Sequence, residues 1–149
     1  MKVVRQKPAV SEGYDVFICF ASEDMAHAQA VYEFLRRKGL AVFFSRESLP
    51  RLGSDEYHEQ IDSAIEKSRH MVVVTSCGEH ATAKWVQYEW RLFLGEKLAG
   101  RKKGNLVAMV ASGMDISDLP ISLRNREVIP LNPKSLNRLF EYLKPRHLR

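Results

Sequence analysis

YDVFICFASED, residues 14–24, decides how this chain folds. Its first seven residues are an almost continuous apolar run, which predicts a strand buried on both faces. The polar residues ASED that follow offer side chains that cap the start of a helix. A helical pattern comes next, because four apolar residues recur at the spacing of one helix face: Ala28, Val31, Tyr32 and Leu35. The stretch therefore predicts one strand–turn–helix unit of an α/β sheet.

The same alternation continues along the rest of the chain. Further apolar runs predict strands at residues 41–44, 70–75, 105–111 and 127–131, the last at an edge because Pro130 has no N–H to donate. Helical patterns follow the first three strands and the last. The prediction is a flavodoxin-like α/β fold, a three-layer sandwich with helices flanking a five-stranded parallel sheet. The order 2-1-3-4-5 is favoured over the Rossmann order, and it places ligands between the carboxyl ends of strands 1 and 3.

Length and composition fit one globular domain and exclude several other classes. The chain has 149 residues, 45% of them hydrophobic, and a formal net charge of +5. Its positive charge is split into short clusters without a nucleic-acid-binding motif, and no apolar run approaches the roughly 18 residues of a membrane span. We therefore expect neither nucleic acid nor a membrane as partner. Two unclustered cysteines, Cys19 and Cys77, predict a reduced, cytoplasmic location.

Familiar catalytic motifs are missing from the sequence. It contains no G-x-G-x-x-G, P-loop, H-E-x-x-H or G-x-S-x-G pattern, and its five histidines are scattered, so no metal and no dinucleotide cofactor is expected. A phosphoacceptor receiver shares the predicted fold and needs an Asp at the end of the third strand. That strand ends in Val-Thr-Ser here, which argues against a receiver.

Glu89 is the carboxylate that the sequence singles out. It lies in KWVQYEW, residues 84–90, and in a helix its neighbours three and four positions away would all be apolar: Trp85, Val86, Leu92 and Phe93. A carboxylate among apolar groups often has a raised pKa and a task in function. A solvated Glu, or one paired with a cation from another element, is the ordinary alternative, and spacing alone leaves both open.

Three motifs, in this order, resemble those of a TIR (Toll/interleukin-1 receptor) domain. They are YDVFICFASED, then GLAVFFSRESLPRLG at residues 39–53, then the Trp-x-x-x-Glu spacing of Trp85 and Glu89. The resemblance covers residues 14–143. It leaves residues 1–13 as an N-terminal extension and residues 144–149 as a basic tail or a linker to a missing module.

The resemblance is to the NAD-cleaving bacterial type of TIR domain, and it implies an activity and a site. Such domains cleave the nicotinamide–ribose bond of NAD⁺, which is a substrate, so no cofactor is needed. The family's catalytic carboxylate falls on Glu89. The substrate pocket falls on six further residues: Phe20, Ala21, Ser22, Ser45, Arg46 and Trp85. Many relatives have Asp where Ser45 stands and Cys where Val86 stands, so the product stays open between ADP-ribose, a cyclic isomer and a base-exchange product.

The resemblance also implies partners and an alternative function. TIR domains associate with other copies through the BB loop, here Arg46 to Asp55, and they are usually fused to a sensor or oligomerising module. The implied setting is immune or cell-death signalling, including antiviral defence. The alternative is a non-enzymatic adaptor that acts through TIR–TIR contacts alone. Many adaptors lack the catalytic Glu, so Glu89 favours the enzyme.

Overall fold

One five-stranded sheet forms the centre of the computed structural model, which describes residues 13–44 and 54–144. Every pairing between neighbouring strands is parallel, and the order is β2-β1-β3-β4-β5. The strands are β1 (Tyr14–Phe20), β2 (Val42–Phe44), β3 (Ser68–Thr75), β4 (Leu106–Val110) and β5 (Glu127–Pro130). The predicted fold class and strand order are confirmed, and β5 lies at the edge as Pro130 required.

Helices cover both faces of this sheet. In chain order they are α1 (Met25–Arg37), α2 (Ser54–Glu66), α3 (Gly78–Ala81), α4 (Lys84–Leu98), α5 (Ile121–Arg124) and α6 (Pro133–Leu143). Within the described ranges, none of them combines the length and the apolar character needed to cross a membrane. Two apolar clusters result, one under α1 and α6 and one under α2 and α4. Successive strand residues point alternately into the two clusters, which explains the continuous apolar runs.

Local sequence signals set the ends of the helices. Gly39 follows α1 with a φ of 89°, a left-handed conformation that glycine adopts at low cost. At the start of α6, the side chain of Asn132 accepts a 2.9 Å hydrogen bond from the backbone N–H of Ser135. Pro133 occupies the first turn of α6, where its missing N–H costs nothing.

The structure differs from the predicted elements where a pattern is short or polar. α3 and α5 are single turns in segments without a predicted helix, because one turn is too short to show a helical period. β3 begins at Ser68, two residues earlier than predicted, since its polar first residues break the apolar run. The Ser68 hydroxyl is satisfied inside the fold by a 2.6 Å hydrogen bond to the carbonyl oxygen of Ala64.

Candidate active site

A cleft of about 370 Å³ opens at the carboxyl end of β1, where the order of the sheet reverses. Its walls come from the end of β1, the short 3-10 helix Ser22–Asp24, α2 and the first turns of α4. The lining residues combine apolar surface with a few polar side chains: Ile18, Phe20, Ala21, Ser22, Glu23, Tyr57, Ala83, Lys84, Trp85, Val86 and Glu89. Such a mixture is typical of small-ligand sites.

Most of the residues predicted for the site from the sequence line this one cleft. They are Phe20, Ala21, Ser22, Trp85 and Glu89. The end of β1 and the turn after it supply the first three, and one turn of α4 supplies the other two. Ser45 and Arg46 lie outside the described residues, as does the BB loop up to residue 53. The last residues of that loop begin α2.

Glu89 is a partly buried acid in this cleft. Burial removes water from its carboxylate and raises its pKa from 4.5 to about 7; a hydrogen bond from Cys19 opposes the rise, and the charge of Asp62 adds to it. No Lys or Arg of residues 13–44 and 54–144 forms an ion pair with Glu89. A carboxyl group with a pKa near neutrality can change its charge at working pH, as acid–base catalysis requires.

The thiol of Cys19 is a polar partner of Glu89 beneath the cleft. Cys19 is fully buried on β1, and its Sγ lies 3.4 Å from the carbonyl oxygen of Val86, on the same helix as Glu89. Burial, followed by the charge of Glu89, raises the pKa of the Cys19 thiol well above its ordinary value. The sulfur therefore keeps its proton and remains a hydrogen-bond donor. From sequence, Cys19 was only one residue of an apolar run.

Trp85 stands at the rim of the cleft with 48% of its surface exposed. Its ring centroid is 4.4 Å from that of His58 on α2 and 5.8 Å from that of Tyr88 on the next turn of α4. The Tyr88 hydroxyl donates a 2.8 Å hydrogen bond to Asp62. These contacts hold the indole at the rim, and its exposed surface is available to stack on a ligand.

Several cleft residues, among them Tyr57 and Lys84, were given no role in the site by the sequence patterns. Tyr57 lies in the first turns of α2 and borders the cleft there. Lys84 is exposed and brings an ammonium group to the rim beside Trp85. Arg46 had been the cation predicted nearest the site. The position of Lys84 directly before Trp85 in KWVQYEW is the signal that could have identified it.

A buried polar cluster fixes the turn that forms one wall of the cleft. The carboxylate of Asp24, which is 1% exposed, accepts hydrogen bonds from the Ser76 hydroxyl at 2.6 Å and the Ser76 N–H at 3.3 Å. It also lies 2.9 Å from His80 Nδ1. The Ser76 hydroxyl is 3.2 Å from that same nitrogen, whereas a Ser-His-Asp catalytic triad uses both ring nitrogens. Among the described residues, no group of three or more His, Cys, Asp or Glu side chains is placed so that it could hold a metal ion.

Solved structures share this fold at low sequence identity. A metazoan TIR-STING receptor from C. gigas in complex with 2',3'-cGAMP is 19% identical, with a TM-score of 0.65 over 89% of this chain. This chain spans 40% of that receptor's length. The TIR domain of the Toll-related receptor TRR-2 from Hydra magnipapillata is 22% identical, with a TM-score of 0.61 over 86% of this chain and 92% of its own. At these identities the likeness shows the fold alone.

The sequence itself identifies the family. No curated protein matches the chain closely enough to count as a relative. The family profile of the TIR domain, however, matches residues 16–141, which include most of β1, the other four strands and the helices that form the cleft. The chain therefore belongs to the TIR domain family.

Proposed function

We propose that this TIR domain is an NAD⁺ glycohydrolase, activated by self-assembly in immune or cell-death signalling. It would cleave the bond between nicotinamide and ribose and release ADP-ribose or a cyclic ADP-ribose isomer. The observation that carries the proposal is Glu89, a partly buried carboxyl group with a pKa of about 7 in the cleft at the switch point of the sheet. Trp85 on the same wall adds to the support.

Cleavage of this bond requires stabilisation of a positive charge. As the C–N bond breaks, both bonding electrons leave with nicotinamide, which becomes neutral, and ribose C1′ gains oxocarbenium character. The ionised carboxylate of Glu89 would stabilise that charge more strongly in a poorly hydrated cleft than in water. Water then adds to C1′ and loses a proton, so NAD⁺ and water yield ADP-ribose, nicotinamide and H⁺. A neutral leaving group needs neither a metal nor a strong acid.

The remaining cleft residues suit the two ends of such a substrate. The half-exposed indole of Trp85 can stack on the nicotinamide–ribose end. Lys84 offers a cation for the diphosphate. A volume of about 370 Å³ lies at the lower end of small-ligand pockets, so the cleft would enclose one end of the dinucleotide and leave the other at the rim.

A non-enzymatic adaptor is the second candidate function, and one surface observation favours it. Trp85 and Tyr88 are 48% and 41% exposed beside α2, the helix that follows the BB loop. Aromatic side chains exposed in this way often anchor protein interfaces. The two functions are compatible, because contacts between copies can complete a catalytic site. A fused sensor or oligomerising module would then supply the clustering.

Nicotinamide release from NAD⁺ by concentrated or artificially clustered protein tests the enzyme directly, with the product identified by mass. We expect release by the parent protein and a loss of roughly a hundredfold or more in Glu89→Ala, because an electrostatic catalytic group is removed. Glu79→Ala, which removes an exposed glutamate from α3, is the matched control and should retain the parent rate.

Two results would count against this proposal in different ways. Persistent inactivity of the clustered, folded parent protein would favour the adaptor function. Cleavage by Glu89→Ala at the parent rate would leave an enzyme but show that its catalytic carboxylate lies elsewhere.

A further inference from the structure

A second pocket, of about 460 Å³, lies at the amino ends of the strands, opposite the carboxyl ends where the cleft opens. It forms between the start of β3 and the loop that joins α4 to β4, whereas the cleft lies beyond the end of β1. Because β1 and β3 run parallel, the start of β3 and the end of β1 lie at opposite ends of the strands. We call it the basic pocket because four of its lining side chains are cationic: Arg69, Arg101, Lys102 and Lys103.

Only part of this positive charge is neutralised inside the domain. Arg101 donates two hydrogen bonds to the carboxylate of Glu96, at 2.8 and 3.0 Å, and is thereby paired. Arg69 and Lys103 are exposed, and neither forms an ion pair with a side chain of the described ranges. The pocket therefore presents cations whose charge a bound anion could balance.

Lys102 is the fixed cation of the basic pocket. Its Nζ donates hydrogen bonds to the carbonyl oxygens of Glu66 at 2.8 Å and Ser68 at 2.6 Å, and it lies 5.5 Å from the ring centroid of Phe93. An ammonium group has three N–H donors, so one is left for a ligand. Partial burial lowers the pKa of Lys102, because the charged form has lost hydration that an anion could replace.

The loop that carries these cations is held by contacts to its backbone. The Nζ of Lys97 donates to the carbonyl oxygen of Gly104, and the N–H of Asn105 donates a 2.8 Å hydrogen bond to His70 Nδ1. A Cβ on Gly104 would lie 1.8 Å from the carbonyl oxygen of Arg69, so only glycine lets the loop approach β3 this closely. The pocket is therefore preformed, which lowers the entropic cost of binding.

We propose that the basic pocket binds a small phosphate-bearing anion, either a phosphate monoester or a diphosphate. A fixed ammonium group lies beside an arginine and a lysine that have no carboxylate partner among the described residues. This arrangement suits phosphate oxygens, which accept several charge-assisted hydrogen bonds. A cavity of this volume falls in the range of small-ligand sites. The site lies away from the cleft, and its test does not depend on NAD⁺ cleavage.

The test is an NMR titration of the ¹⁵N-labelled full chain with inorganic phosphate and with pyrophosphate, at constant ionic strength. We expect saturable amide shifts at residues 68–70 and 101–105. The double substitution Arg69→Gln/Lys103→Gln should weaken binding roughly tenfold, because two charged hydrogen-bond donors are lost. Arg37→Gln/Lys134→Gln removes the same charge from two exposed cations elsewhere and should bind as the parent does.

The titrations discriminate among the possible outcomes. Tighter binding of phosphate supports the monoester, and tighter binding of pyrophosphate supports the diphosphate. Equal weakening by the two double substitutions would overturn the proposal, because the protein would then respond only to net charge. Shifts that do not saturate, or that map to other residues, would overturn it too. So would a short RNA or DNA duplex that binds these amides while neither phosphate probe does.

Discussion

Replacement of Glu89 by Gln should stabilise the domain relative to the parent by an amount that grows with pH. Burial raises the pKa of Glu89 from 4.5 to about 7 in the folded protein. Between these two values the folded state keeps a proton that the unfolded state has lost, so the parent loses stability as the pH rises through this window. The two values differ by about 2.5, and each pKa unit is worth about 1.4 kcal/mol, which gives a loss of about 3 kcal/mol above pH 7.

Urea unfolding of the parent and Glu89→Gln, from about pH 4.5 to about pH 8.5, measures this difference. Gln keeps the size of the side chain and an oxygen that can accept from Cys19, but it cannot ionise. The free energy of unfolding of the variant, relative to the parent, should rise between the two pKa values and then level off. Glu79→Gln, on the exposed face of α3, controls for loss of a surface carboxylate. A difference that is the same at every pH would refute the argument from burial.

Three further predictions concern the site and the second pocket. Cys19→Ala removes the thiol that lowers the pKa of Glu89, so the pH at which kcat/KM for NAD⁺ rises should move upward. Cys19→Ser keeps a hydrogen-bond donor, and its pH profile should stay near that of the parent. Identical profiles in the parent and both variants would contradict the pairing of Cys19 with Glu89. Trp85→Ala should raise KM for NAD⁺ roughly tenfold with an intact fold, because a stacking surface is lost from an exposed position. An unchanged KM would show that Trp85 does not contact the substrate. Gly104→Ala should cost about 2 to 3 kcal/mol in the free energy of unfolding, because its Cβ would clash with β3. Gly95→Ala, which meets open space on α4, should instead gain about 0.5 to 1 kcal/mol, and equal effects at both glycines would contradict the close approach.

The fold could be predicted from sequence because its determinants are local. β1, β3 and β4 are buried on both faces, and each appears in the sequence as a short apolar run of the length expected of a buried strand. The spacing of Trp85 and Glu89 is also local, since a single turn of α4 brings both to one wall of the cleft. The positions of Phe20, Ala21 and Ser22 followed from the family resemblance and not from any pattern of their own.

Other features of the site could not be predicted because they depend on contacts between distant parts of the chain. Cys19 contacts the backbone of Val86, 67 residues later, and no helical or strand period reports such a contact. The same holds for Lys102, whose ammonium group meets the backbone of Ser68 across 34 residues. Polar residues in loops look alike in a sequence until the fold decides which of them is buried.

The cluster of Asp24, Ser76 and His80 has a consequence for the order in which the molecule assembles. The hydrogen bonds to Asp24 join residues 52 and 56 positions apart, so the chain must close a long loop before any of these can form. Pairing of β1 with β3 brings these residues together, and we expect the turn that forms one wall of the cleft to be fixed only afterwards. During refolding we therefore expect protection of the β1 and β3 amides from hydrogen exchange to precede ligand-binding competence, so a nascent domain would have its sheet before it had a site.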